Sequence, residues 1–269
     1  MQHIFIINPH AGKKDQTGRI YEMADRLRQL WPDLPMSADP AVRRRGGDRP
    51  TAGVLREEVR LYACGGDGTL NEVVNGAAGF DNAAVTCIPI GTGNDFLKNF
   101  GPDAAKFTDA ENLWDGEVHP LDLIDCNGRQ CLTIACSGID ARVAESVHEL
   151  GTPTPQRPGQ LSGRRGGEFS VPGASASAGG VTLDDEVIED DFALVSMCNG
   201  RYYGGGSTPV PEARMDDGVL HTVLVKNISR VKFAGLFSAY SAGRYRSLPP
   251  EVIRVVTAKT SAFSRKMTL

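Results

Sequence analysis

Three times in its N-terminal half the chain passes from a short apolar run into a glycine-rich or polar loop, then into a stripe of apolar residues at helical spacing. Ile4–Ile7 opens onto Asn8-Pro9-His10-Ala11-Gly12-Lys13-Lys14, and Gly18–Leu30 then carries Ile20, Met23, Ala24, Leu27 and Leu30. Val59–Cys64 ends in Gly65-Gly66-Asp67-Gly68-Thr69, behind which Leu70, Val73, Val74, Ala77 and Ala78 form one stripe, stopped by Gly79. Ala83–Ile90 ends in Gly91-Thr92-Gly93-Asn94-Asp95, with a short helix predicted over Phe96–Phe100. Strand, loop and helix in that recurring order predict a parallel sheet with flanking helices, because parallel neighbours need a crossover between them. Ser37–Arg49 is rich in arginine, glycine and proline, and it sits where such a unit should supply its second strand.

After about residue 117 the rhythm changes. Leu121–Cys126 and Gln130–Cys136 read as strands joined at Asn127-Gly128, a two-residue hairpin signal. Ile139–Leu150 reads as a helix, and Phe192–Cys198 and Val219–Val225 as further strands. The expected organisation is an α/β domain over 1–117, then a mainly antiparallel β-sandwich over 118–269 that is incomplete. Gly151–Gly180 is crowded with glycine and proline and poor in large apolar groups, so it is expected to stay disordered. Phe233, Leu236, Phe237 and Tyr240 form an i, i+3, i+4, i+7 stripe on Val231–Gly243; core packing is favoured there over a lipid-facing surface.

A formal net charge of −4 gives no basic footprint for nucleic acid. No apolar run reaches the roughly 18 residues of a membrane span, and the start of the chain lacks the pattern of a signal peptide. The six cysteines form no CxxC pair and have no histidine cluster beside them, which predicts reduced core thiols and a cytoplasmic location.

The octet Gly65-Gly66-Asp67-Gly68-Thr69-Leu70-Asn71-Glu72 carries the most chemistry. At a strand's end and a helix's start, free backbone N–H groups and the positive end of the helix dipole point outward together. The octet is neither a Walker A loop nor a dinucleotide fingerprint. A carboxylate in the middle of a plain anion-binding loop would repel the anion, so Asp67 points to a metal ion or a hydroxyl bound there as well. The competing reading is a glycine turn capped by an aspartate. Asn94 or Asp95 could likewise be a simple helix cap. Three such loops at strand ends favour a nucleotide, since open parallel sheets bind ligands beyond the carboxyl ends of their strands.

Asn8-Pro9-x-Ala11-Gly12, Gly65-Gly66-Asp67-Gly68-Thr69-Leu70-Asn71-Glu72-Val73-x-Asn75-Gly76 and Pro89-x-Gly91-Thr92-Gly93-Asn94-Asp95-Phe96 together resemble the hallmark motifs of the diacylglycerol kinase catalytic domain family, in the order found in the bacterial soluble lipid kinases. The likeness continues in Gly138-Ile139-Asp140-Ala141, Asn199–Gly206 and Asp216-Asp217-Gly218-Val219-Leu220, and it spans roughly residues 1–35, 57–150 and 184–255. It implies an ATP- and Mg²⁺-dependent kinase that phosphorylates a lipid hydroxyl, diacylglycerol being the first guess, in phospholipid metabolism. It implies an active site between the two domains and a peripheral meeting with substrate at the membrane surface. Carried over by motif, Gly65, Gly66, Asp67, Gly68, Thr69, Leu70, Asn71 and Thr92 would hold the nucleotide, with Asn8 nearby. Asp67, Asp95 and Asp122 match acidic positions linked to the active-site magnesium. Asp217, with the main-chain carbonyls of Arg214 and Val219, matches a structural metal site, against a hairpin turn as the plainer reading. A homodimer is left open.

The family pattern calls for a late Asp-Gly-Glu whose glutamate acts as base, and no such glutamate follows residue 255 here. Ser37–Arg49 lacks the family's threonine contact, and Gly151–Gly180 replaces a segment that normally packs. Residues 37–56, 151–183 and those beyond 258 match nothing in the family and read as shifted-frame or decayed segments of a once complete kinase. A remnant that binds nucleotide without transfer is therefore the alternative function. An enzyme of the NAD-kinase type is a weaker one, since Asn71-Glu72 follows the glycine loop directly.

Overall fold

A computed structural model of the chain describes residues 1–33, 35–40, 57–138, 177–259 and 261–265. Two compact units emerge. Met1–Thr133 and Tyr202–Gly206 form the first, Ile134–Arg201 and Ser207–Leu269 the second. The sequence suggested a division at residue 117, but the chain stays with the first unit beyond it. A hairpin there is tied back to a helix of that unit, as described below.

The first unit holds the predicted parallel sheet. β1 (Gln2–Ile7) leads through α1 (Thr17–Leu30) to β2 (Met36–Pro40); β3 (Val59–Gly65) leads through α2 (Asp67–Ala77) to β4 (Ala83–Pro89). The strand order is β2-β1-β3-β4 and every pairing is parallel. The expected second strand thus lies at the start of the arginine- and proline-rich stretch, and the rest of that stretch, residues 41–56, lies outside the described residues. Pro40 ends β2 on the sheet edge, where a missing N–H costs no ladder bond.

β3 is buried along its whole length, which is why it reads as an unbroken apolar run. Ile20, Met23, Ala24 and Leu27 of α1 pack with Phe5, Ile7, Tyr62, Cys64 and Ile88 into one core, and the rings of Phe5 and Tyr62 stack at 4.3 Å. Arg60 of β3, 6% exposed, donates to the carbonyls of Leu113 and Gly116 and so ties that later segment to the strand.

Next come α3 (Asp95–Lys98) and 3-10 turns over Gly101–Thr108 and Ala110–Asn112. β5 (Ile124–Cys126) and β6 (Arg129–Cys131) form the Asn127-Gly128 hairpin, both turn residues having positive φ, 55° and 82°. Leu121–Leu123, expected in that strand, are irregular and half-buried to exposed. Asn75 of α2 holds the hairpin. Its amide donates to Gln130 O at 2.7 Å and accepts from Gln130 N at 2.8 Å, a side chain standing in for a strand partner.

The second unit is antiparallel, as expected. β7 (Ile134–Gly138), β8 (Ser177–Leu183), β9 (Glu186–Cys198), β10 (Leu220–Lys226), β11 (Ile253–Ala258) and β12 (Ser261–Arg265) make one sheet, ordered β11-β10-β9-β8-β12, with β7 also on β9. Val181, Leu183, Phe192, Val195, Leu224 and Ala258 form its core. Two corrections follow. Residues 177–180 were expected to be disordered, yet they lie in β8, paired with Glu189–Phe192. Ser261–Arg265, read as matching nothing, pairs with Gly179–Leu183. The helix expected over Ile139–Leu150 and the remainder of the 151–180 segment, up to residue 176, lie outside the described residues. α4 (Arg230–Ser241) buries Tyr240 of the apolar stripe at 3% exposure and keeps Phe233, Leu236 and Phe237 half-buried.

No helix among the described residues is long and apolar enough to cross a membrane. All six cysteines are free; Cys64, Cys87 and Cys198 are buried as predicted, whereas Cys126 is exposed at the hairpin.

Candidate active site

β1, β3 and β4 end level with one another, because Ile7 pairs with Cys64 and Gly65 with Pro89. Their three loops therefore leave the same edge of the sheet. The strand order reverses between β1 and β3, and ligands of open parallel sheets bind at such a switch point.

The loops are bonded into one body. Asn8 N donates to Cys64 O at 3.0 Å, and the Asn8 amide donates to Thr69 Oγ1 at 2.8 Å. Ile90 N and Gly91 N both donate to Gly65 O, at 3.0 and 3.1 Å. Glycine is needed here for closeness. A Cβ on Gly65 would stand 2.3 Å from the Thr69 side chain, and one on Gly91 would stand 2.4 Å from Gly66 Cα.

α2 begins at this point. Gly66 caps it in extended conformation without a side-chain bond, and Leu70 N→Gly66 O at 3.0 Å is its first helical bond. The N–H groups of Asp67, Gly68 and Thr69 thus have no partner within the helix. Gly68 is exposed, and a Cβ added there would meet nothing within 4 Å. An uncapped helix start with open space above it suits an anion.

Asp67 Oδ1 accepts from Phe96 N at 3.0 Å, which ties the second loop to α3. A Cβ on Gly93 would come within 3.0 Å of Asp67 Oδ2 and 4.0 Å of Asp95 Oδ2, so this glycine keeps the space between the two carboxylates open. Asp95 is 7% exposed and each of its oxygens meets one protein donor, Lys98 at Oδ1 and the Gly205 N–H at Oδ2, the latter at 2.7 Å. Burial pushes the Cys87 thiol up to about 12, with the Asp67 charge adding to it, and burial likewise raises Cys64. Both thiols stay protonated, so neither serves as a nucleophile.

Among the predicted residues, Asn8, Gly65, Gly66, Asp67, Gly68 and Thr69 come together. Thr92 is exposed on the third loop. Asn71 stands half-buried one turn into α2, its carbonyl accepting from Asn75. Leu70 offers nothing outward: its side chain is 5% exposed and its N–H is bonded to Gly66 O. Asp122 lies half-buried in the irregular segment before β5. Among the described residues no three His, Cys, Asp or Glu side chains are grouped to hold a metal, so Asp67, Asp95 and Asp122 form no closed cage. In the second unit Asp217 Oδ1 accepts from Val219 N at 3.0 Å, and Arg214 pairs with Asp216 at 3.0 Å, the arrangement of a tight turn.

Neither Asn94 nor Asp95 caps α3 through its side chain. Asn94 is left-handed at φ 50° and donates to Gly91 O at 3.0 Å, bracing the loop. Gly91, Gly93, Lys98 and Gly205 were missed as site residues. The three glycines stood inside quoted motifs with no chemistry of their own to nominate them, and Lys98 lies two residues past the end of one.

Residues 2–126 match the family described as the diacylglycerol kinase catalytic domain, and residues 133–268 match the YegS C-terminal NAD kinase beta sandwich-like domain. The second match runs past residue 255, where the likeness was expected to stop. A "Diacylglycerol kinase" of Bacillus subtilis (strain 168) is 26% identical over 85% of this chain and 75% of that protein. A "Probable lipid kinase YegS-like" of Pseudomonas aeruginosa is 33% identical over 60% of this chain, and the match spans 52% of the relative's length. A crystal structure described as a diacylglycerol kinase from Bacillus anthracis str. Sterne aligns with a TM-score of 0.66 and 23% identity, over 99% of this chain and 86% of that one.

Proposed function

The chain belongs to the diacylglycerol kinase catalytic-domain family, and from that membership we propose that it moves the terminal phosphoryl group of ATP onto a lipid hydroxyl, diacylglycerol being the first acceptor to test. The family's members are lipid kinases, and relatives named for diacylglycerol and lipid phosphorylation support the acceptor class. The reaction would take place where the protein meets a membrane surface from the cytoplasm, within phospholipid metabolism.

The observation that carries this reading is the single body made by three strand-end loops around an uncapped helix start. Phosphoryl transfer needs little covalent help from a protein and much positioning and charge neutralisation. The N–H groups of Asp67, Gly68 and Thr69 would take phosphate oxygens. Asn8, bonded to Thr69, would hold that turn in place. Thr92 lies on the exposed rim for further contact with the nucleotide.

Magnesium fits the donor set: Mg²⁺ keeps most of its water and takes one or two carboxylates plus substrate phosphates. Asp67, whose Oδ2 faces the space that Gly93 leaves open, is the residue to hold it. When bound, the ion would neutralise charge developing on the phosphoryl oxygens. Asp122 remains a proposed contributor on motif grounds alone, as do Asp217 and the Arg214 and Val219 carbonyls for a second, structural ion.

Isothermal titration with Mg-ATP, followed by label transfer from radioactive ATP to dioctanoylglycerol in mixed micelles, tests the proposal. Binding lost in Asp67→Ala and lipid-dependent transfer in the wild type support it. Wild-type protein that takes up no Mg-ATP ends it, and binding without transfer leaves a nucleotide-binding protein only.

A further inference from the structure

Asn8, just past the end of β1, has both ends of its amide engaged. The His10 N–H donates to Asn8 Oδ1 at 3.0 Å, and Asn8 Nδ2 lies 2.8 Å from Thr69 Oγ1. A backbone N–H can only donate, so the amide oxygen must face His10 and the NH₂ group must face Thr69. Asn8 therefore gives a hydrogen to Thr69 Oγ1 and takes none from it.

Thr69 is left with its own proton to place. A threonine hydroxyl in a helix often returns that proton to the carbonyl one turn back. Here that carbonyl is Gly65 O, which already accepts Ile90 N at 3.0 Å and Gly91 N at 3.1 Å, so both of its lone pairs are filled. Gly66 O accepts Leu70 N. No acceptor among the described residues takes the Thr69 proton. Yet the residue is only 6% exposed, and a buried donor without a partner is costly.

The hydroxyl stands in the proposed phosphate seat. Thr69 lies in the first turn of α2, where its N–H and those of Asp67 and Gly68 have no partner within the helix. A Cβ on Gly65 would come 2.3 Å from Thr69 Oγ1, so this oxygen is flanked by Asn8 of the first loop and by Gly65 of the second. A phosphate oxygen entering between those loops is an acceptor without protons, which is what the stranded hydroxyl lacks.

We infer that Thr69 gives its hydroxyl proton to a phosphate oxygen of the nucleotide, and that Asn8 is the positioning residue that keeps this hydroxyl a donor, its own amide set by the His10 N–H. The inference rests on the kinase reading above. A free hydroxyl can present either its proton or its lone pairs to an anion; one fixed as a donor beforehand needs no reorganisation when the nucleotide arrives.

Titration with Mg-ATP over a double-mutant cycle tests it. Thr69→Val removes the hydroxyl and should weaken affinity about 10-fold, whereas Thr69→Ser keeps it and should recover most of that loss. Asn8→Asp still accepts from the His10 N–H but cannot donate to Oγ1, so the Thr69 proton turns to the new carboxylate and away from the phosphate. Alone it should weaken affinity about 10-fold or more; on top of Thr69→Val, with no hydroxyl left to turn, most of that effect should vanish. The added charge by itself would act alike in both backgrounds, and losses within about twofold of each other would overturn the inference. A valine variant within about twofold of wild type, or a serine variant as weak as the valine one, would also overturn it while leaving the kinase reading intact. Thr69→Ala, which puts no methyl where Oγ1 meets Gly65, carries the cycle if Thr69→Val does not fold. Wild-type protein that binds no Mg-ATP removes both readings.

Discussion

Replacing Gly91 by alanine should force apart the second and third of the loops that form the proposed nucleotide seat. The new Cβ would lie 2.4 Å from Gly66 Cα and 3.0 Å from Gly66 N, both main-chain atoms that cannot swing aside. Carbon atoms rest at about 3.5–4.0 Å, so the loops must separate by about 1 Å. Ile90 N and Gly91 N now reach Gly65 O at 3.0 and 3.1 Å, and that displacement carries both beyond hydrogen-bonding range. Two bonds lost at about 0.5–1.5 kcal/mol each, with about 1–3 kcal/mol of overpacking, give a destabilisation of about 2–6 kcal/mol. Denaturant midpoints at unchanged slope measure it, and titration with Mg-ATP should show affinity at least about 10-fold weaker. Gly68→Ala is the counterpart. Its Cβ meets nothing within 4 Å, and alanine in α2 gains up to about 0.5 kcal/mol of helix stability. This variant should unfold no earlier than wild type, yet bind Mg-ATP less well, because the open space is where phosphate must come. A Gly91→Ala protein with wild-type midpoint refutes the loop contact; a Gly68→Ala protein with wild-type affinity refutes the seat.

His3 is 2% exposed with Nδ1 2.9 Å from the Tyr62 hydroxyl; burial, then Arg60 and the terminal amine, bring its pKa down to about 4. The unfolded chain takes up this proton near pH 6.5 and the folded chain only near 4. The associated stability is whole above about 6.5 and is lost as pH falls from there to about 4, by at most about 3 kcal/mol. The difference in unfolding midpoint between wild type and His3→Gln, followed across that range, should change accordingly; a constant difference refutes it. Arg60→Met removes a neighbouring cation and should raise the His3 pKa in an NMR titration, while leaving the Leu113 and Gly116 carbonyls without their donor at a cost of about 1.5–3 kcal/mol. Asn75→Ala should undock the β5–β6 hairpin, lowering stability by about 1–3 kcal/mol and speeding amide exchange at Gln130. Thiol-reactive dye should modify exposed Cys126 in the native protein and reach Cys64 and Cys87 only on unfolding.

What could be read in the sequence was whatever has a period or a punctuation mark. The parallel sheet, the stripes of α1 and α2, and the Asn127-Gly128 turn follow from spacing and from residues with one conformational use. β2 was expected only from its place in the repeating unit, because an edge strand needs little apolar patterning, and Met36–Pro40 has little. β12 escaped notice because its pairing with β8 is long-range and main-chain, which composition does not record. In the site, Asp67 could be singled out since a carboxylate among phosphate-facing amides demands an explanation. Leu70 was nominated with its motif, although helical spacing also marks it as a core position. Gly205 meets Asp95 through a backbone N–H, the one donor that every residue but proline has, so nothing in its side chain marks it in the sequence.

β9 is bonded on both flanks along Leu194–Cys198, to β7 on one side and β10 on the other, while Glu186–Asp190 has β8 as its one strand partner among the described residues. Exposing an amide in the doubly bonded stretch means prying away two neighbours at once, whereas β11 and β12 can peel from the rims singly. The second unit should therefore open from its rims inward, with Leu194–Cys198 the last of its backbone to admit deuterium.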